Sequence, residues 1–230
     1  MKTRASLTSS AFTLIELLTV ISIIAILMGL LFPAISIVKN TANKARAGTD
    51  VAGIVTAVKQ YNAEYGKFPA LERASGKADP EPKDAMCGDK AALMELDNNT
   101  LFYTLRAIAK GEVNTDPTDH SMNPRKVNFF DGKAASDPTQ PRGGFADKQG
   151  VDKEGCYFDP WGKQYNIVID TNYNNVLDLE KKYQDFETPN EPRVTVGAFS
   201  VGKDSILGDK KFEKTFRKGQ TTSDDVVSWQ

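Results

Sequence analysis

From Phe12 to Val38 the chain is apolar on every face, and in those 27 residues the single ionisable side chain is Glu16. About 20 helical residues cross a bilayer core, and a helix with no polar side cannot present one to water. The pattern therefore predicts a membrane-spanning helix. A secretory leader has an apolar region of about 7–15 residues closed by a small-residue cleavage site. This run is longer, no such site directly adjoins its end, and the small residues Ser9, Ser10 and Ala11 precede it instead. Lys2 and Arg4 lie upstream with no acid in residues 1–11, which favours a cytoplasmic N-terminus with the rest of the chain outside.

After residue 38 the pattern becomes periodic. Val51, Ile54, Val58, Tyr61 and Tyr65 recur at intervals of three and four, with Lys44, Arg46, Asp50, Lys59 and Glu64 off that stripe, as in an amphipathic helix. Gly66 suits the left-handed stop and Pro69 follows. One helix from about residue 12 to 65 would be roughly 80 Å long, with Pro33 predicted to kink or locally unwind it. The remainder, 66–230, is polar and loop-rich. Residues 70–90 and 112–155, dense in Pro, Gly, Asp and Lys, read as long surface loops. "NNTLFYTLRAIAKG" predicts a short helix capped by Asn99, burying Leu101, Leu105 and Ile108 and ending at Gly111. "QYNIVID" and "VTVGAFSV" are β-branched, aromatic-rich strands. These elements predict an α+β chain. The segments are 1–11, 12–38, 39–65 and 66–230.

Charge excludes rather than assigns. Lys and Arg number 29 against 30 Asp and Glu, for a net charge of −1, and a nucleic-acid partner, which needs a cationic field, is not expected. Cys87 and Cys156 stand 69 positions apart with no metal spacing; they form one disulfide in an exported head or remain two buried thiols. Enzyme signatures are missing. His120 sits alone in "TDHSMNP", "SVGKDS" lacks the spacing of a phosphate loop, and neither H-E-x-x-H nor a nucleophile motif occurs.

Glu16 needs an explanation of its own. An acid at the centre of a span costs roughly 2.5–3.5 kcal/mol, less near the interface, and such residues usually have a partner. Lys2 and Arg4 lie too far upstream for a helical pair. A cut between Ala11 and Phe12 would create an α-amino group four residues from Glu16, able to neutralise Glu16 of a neighbouring copy. "AFTLIELLTVISIIAIL" resembles the prepilin N-terminus of type IV pilins and type II secretion pseudopilins. The resemblance implies removal of residues 1–11 by a membrane prepilin peptidase, N-methylation of Phe12, and docking of subunits guided by Glu16. The residue before the cut, usually Gly in that family, is Ala11. Pro33 falls where the family often bends its helix, and "YGKFP" looks like the family's exit from it.

Two later segments extend the likeness. "DPWGKQYNIVID" is a Pro-Gly turn feeding a strand, with Trp161 anchoring the turn, and it resembles the "DPWG" segment of the major pseudopilin. "SVGKDSILGDKKFEKTFRKGQTTSDDVVSW" looks like that family's C-terminal calcium loop. Carried over, this implies Ca²⁺ held by the Val201 carbonyl, Asp204, Asp224 and Asp225, with Trp229 packing nearby; calcium takes six to eight oxygen ligands. "DTNYNNVLD" begins like an EF-hand loop at Asp170, Asn172, Asn174 and Asp178, but Asn175 replaces the Gly and Lys181 the closing Glu. A tight turn with Asn in left-handed geometry is the stronger expectation.

The resemblance implies a pilin-like structural subunit, not an enzyme: an α+β fold with a long N-terminal transmembrane-plus-amphipathic helix packed on a small antiparallel-sheet head. It would self-assemble into a helical filament with other pseudopilins on an inner-membrane secretion platform and drive protein secretion. The head would be periplasmic on a single inner-membrane span. The alternative is a true type IV pilin of a surface fibre serving adhesion, motility or DNA uptake. A signal-anchored periplasmic enzyme is the different-class alternative and would need neither the cut at Ala11 nor Glu16.

Overall fold

Both the apolar run and the amphipathic stripe are satisfied by one helix, α1, which spans Leu14–Tyr65, 52 residues. The computed structural model describes residues 13–69, 71, 84–89, 94, 96–108, 120, 122–151, 153–177, 192–205 and 224–229. α1 stays helical through residue 33; a proline removes one amide donor, and the local unwinding expected there is absent. The chain divides into two compact units after Ala42. In the first, every large apolar side chain from Leu14 to Val38 is exposed.

In the second unit the stripe is the core. Ala47, Val51, Ile54, Val58 and Tyr61 are each at most 1% exposed. Gly66, at φ +68°, closes the helix by donating its N–H to the Asn62 carbonyl at 2.8 Å. The strands are β1 (Ala85–Cys87), β2 (Gly144–Phe145), β3 (Tyr157–Phe158), β4 (Asn166–Ile169), β5 (Val196–Ser200) and β6 (Val226–Val227). Four of them form an antiparallel sheet in the order β1-β4-β5-β6, while β2 and β3 pair separately. Alternation along β4 and β5 divides the core, because successive side chains leave opposite faces. Ile167, Ile169, Val196 and Ala198 join the cluster that contains the α1 stripe. Val168 and Phe199 join Met94, Leu177 and Val201 in a second cluster.

Several sequence expectations are corrected. Helix α2 spans Asn99–Leu105 and its N-cap is Asn98, not Asn99. The Asn98 side chain makes no cap bond; it is fully buried and donates from Nδ2 to the carbonyls of Tyr157 (2.9 Å) and Tyr165 (3.0 Å). Leu101 and Leu105 are buried as expected, but Ile108 lies past the helix end and is half-buried, while Gly111 is outside the described residues. The stretch 112–155 is more than a surface loop. Phe130 and Phe145 from it pack with Phe102 and Tyr157, ring centroids 4.5–5.9 Å apart. Likewise β1 interrupts the loop expected over 70–90. Cys87 and Cys156 are both buried and are not joined in a disulfide; they are two separate thiols.

Candidate functional site

The described part of the N-terminal segment starts one residue after the expected cut, so Ala11 and Phe12 lie outside it. Glu16 occupies the first turn of α1. Its Oε2 accepts the Thr13 backbone N–H at 2.9 Å and the Thr13 hydroxyl at 2.7 Å, and Thr13 Oγ1 accepts the Glu16 N–H at 3.3 Å. This is a reciprocal capping box, in which two amides at a helix start are satisfied by side chains. Glu16 thus has a local partner that charge pairing alone did not reveal. The signal was present in the sequence, as Thr and Glu three residues apart before an apolar run.

At the other end of the chain, short strand β6 decides the geometry. Its pairing sets Ser200 opposite Val226 and Phe199 opposite Val227. Ser228 locks the register, its N–H donating to the Ala198 carbonyl and its Oγ accepting the Ala198 N–H, both at 3.0 Å. Asp224 and Asp225 are therefore delivered beside the turn that follows β5. Asp224 Oδ2 accepts the N–H groups of Lys203 (2.6 Å) and Asp204 (3.0 Å). Gly202 permits the approach: its φ is +68°, and a Cβ there would lie 2.5 Å from the Asp224 carbonyl oxygen. Trp229 packs edge-on against Phe199, centroids 5.9 Å apart, over the bare face of Gly197.

No family model, curated protein or solved structure matches the chain. Function rests on the residues themselves.

Val201, Asp204 and Asp224 are brought together, with half-buried Asp225 adjoining them. Carboxylate and carbonyl oxygens on a glycine turn are the donor class that calcium prefers. As described, though, the turn is closed by hydrogen bonds, and one Asp224 oxygen is occupied by two amides. Among the described residues no group of three or more His, Cys, Asp or Glu is arranged to hold a metal ion.

A residue that sequence reasoning missed links this turn to "DPWG". Asp159 is fully buried. Its Oδ1 accepts the N–H groups of Trp161 and Lys163, each at 2.9 Å, and its Oδ2 accepts the Ser200 hydroxyl at 2.6 Å. Ser200 Oγ in turn accepts the Gly202 N–H at 3.1 Å. Hydrogen bonds thus run from the DPWG turn through Ser200 to the C-terminal turn. Burial pushes the Asp159 carboxyl up to about 6, against the Ser200 hydroxyl and backbone N–H groups that pull it down. An "Asp-Pro" before a Gly is a common turn signal, and nothing local marks this carboxylate as buried. Trp161 is half-buried against the main core, as its anchoring role predicts.

Asp170 forms the turn expected of it. Its Oδ1 accepts the Asn174 N–H at 3.1 Å and its Oδ2 the Asn175 N–H at 2.7 Å, with Asn175 left-handed at φ +61°. Asp178 and Lys181 lie outside the described residues.

Proposed function

We propose that the chain is a structural subunit of a type II secretion-type pseudopilus, processed before Phe12 and polymerised through its N-terminal helix. The observation that carries this is the first part of α1, whose large apolar side chains described from Leu14 to Val38 are all exposed, with one acid in its first turn. Burying each such side chain is worth about 1.5–3 kcal/mol, so lipid before assembly and copies of the same helix after it are the natural surroundings. Thr13 satisfies part of Glu16 in the isolated subunit. A carboxylate accepts more than two hydrogen bonds, which leaves capacity for the α-amino group of a neighbour. Filament assembly would carry the periplasmic head and drive protein secretion with other pseudopilins on the inner-membrane platform.

The C-terminal turn supports a secretion subunit over a surface-fibre pilin. It is closed by β6 and acidic side chains, while both cysteines are buried thiols within the head. Calcium belongs to the same proposal: Asp204, Asp224, Asp225 and the Val201 carbonyl would hold it, and its charge would relieve repulsion among the three carboxylates. The deciding experiment is the intact mass of chain purified from a host with active prepilin peptidase. Loss of residues 1–11 plus one methyl group is expected. Met1 retained, while another prepilin is cut in the same cells, refutes the assignment.

A further inference from the structure

Beyond the span, one large apolar side chain among the described residues stands exposed: Tyr173, at 58%. Its backbone is left-handed, φ +60°, a conformation uncommon for a bulky residue. Asparagines 172, 174 and 175 surround it, residues that tolerate such geometry better. The loop is braced from within: both Asp170 oxygens accept loop amides, and Asn174 Oδ1 accepts the Val176 N–H at 2.8 Å. The ring stacks on Phe68, centroids 5.7 Å apart and 25° between planes, just past the end of α1. The Tyr173 hydroxyl accepts the Phe68 N–H at 3.5 Å, so one face of the ring is fastened to the head while the rest stands open to solvent.

The same unit also carries an open cavity. A cavity of about 340 Å³ flanks α1 at Arg46 and Asp50, with Phe130 and Tyr157 as aromatic walls and Asp131 and Lys133 at its exposed rim. Its cation is held in place, because Arg46 donates to the Gly143 carbonyl. Asp50 is engaged by the Tyr165 hydroxyl at 2.8 Å. Aromatic walls and guanidinium suit the face of a phenol ring, and the rim carboxylate of Asp131 suits its O–H.

We propose that Tyr173, backed by Phe68, inserts into the Arg46–Lys133 cavity of a second copy of this chain and so forms a contact between neighbouring heads within the filament. The inference rests on the reading of the chain as a filament subunit and names the surfaces its heads use. Tyr173 and the cavity occupy different places on one molecule. From Gly53, at the cavity, to Tyr65, before Phe68, α1 advances roughly 18 Å at about 1.5 Å per residue. A contact between unlike patches is heterologous, and when it does not close on itself it propagates as a helical filament.

The test uses the full chain in host membranes and a bismaleimide crosslinker. The double variant Lys67→Cys/Lys133→Cys, whose first thiol is exposed beside Phe68 and which keeps Tyr173, should give a ladder of multimers, whereas each single variant, with one added thiol per chain, should give dimers at most. Tyr173→Ala should lower the pelleted filament at least tenfold, and Tyr173→Phe, which keeps the ring, should stay within about threefold of wild type. Filaments that pellet normally from Tyr173→Ala, or that form from the double variant without a ladder, overturn this contact alone. A wild-type chain that forms no multimers overturns both this contact and the filament reading.

Discussion

Replacing Asp159 by Asn tests which of two opposed forces governs the link between the DPWG turn and β5. Burial disfavours the carboxylate, while the Ser200 hydroxyl and the N–H groups of Lys163, Trp161 and Gly162 favour it; burial prevails and raises the group from its ordinary 3.8 to about 6. At about 1.4 kcal/mol per pKa unit, the charged form costs the folded state about 3 kcal/mol. The sign follows from proton binding. Between these two values the folded chain holds more protons than the unfolded one, so stability falls as pH rises through that window and is level above it. Asn is neutral throughout, keeps an acceptor for the Trp161 and Lys163 amides, and can turn its NH₂ toward Ser200 Oγ. Near pH 4 the two proteins should melt within a few degrees of each other. By pH 7 the Asp159→Asn variant should melt roughly 6–12 °C higher than wild type, at about 2–4 °C per kcal/mol for a chain this size. Near-ultraviolet circular dichroism of the full chain in detergent, from pH 4 to 7.5, reads the difference, and other titrating groups cancel in the comparison. A gap that is the same at both ends, or a wild type more stable at pH 7, would show that the hydrogen bonds outweigh burial.

Glu16 has two candidate roles, capping and pairing, and Gln separates them, because a capping box accepts Gln as well as Glu. If the amine of a neighbour matters, Glu16→Gln and Glu16→Ala should both insert in the membrane, be cut at Ala11, and lose most filament by pelleting; normal filaments from Glu16→Gln would reduce Glu16 to a cap. For calcium, the full chain in detergent should melt higher in millimolar Ca²⁺ than in chelator, by the equivalent of about 2.7 kcal/mol at a hundredfold excess over the dissociation constant, with Mg²⁺ a poor substitute. Asp204→Ala or Asp225→Ala should remove that difference, whereas Asp170→Ala should lower both melting points through its lost loop bonds and preserve it. Equal melting in calcium and chelator refutes a calcium site.

The features legible in the sequence are those in which neighbours along the chain report on one another. A helix repeats every 3.6 residues and a strand every two, so the stripe from Val51 to Tyr61, the stop at Gly66 and the strands around Ile167 and Ala198 could be read before any contact was known. The turn at Asp170 was legible for the same reason, since its bonds reach only four and five residues ahead. Strands of two or three residues, such as β2, β3 and β6, carry too little period to be seen; they exist because a partner distant in sequence supplies their hydrogen bonds. The same holds for side chains with more than one possible partner. Asn98 makes no cap bond because its Oδ1, the atom a cap would use, accepts the Tyr157 N–H at 3.0 Å in the buried interior, while its Nδ2 is held by the carbonyls of Tyr157 and Tyr165. Asp159 meets Ser200 across 41 positions, and Asp224 meets Lys203 across 21. Chain order cannot specify those meetings; β6 pairing on β5 and the absence of a Cβ at Gly202 do, by fixing which polar groups come together.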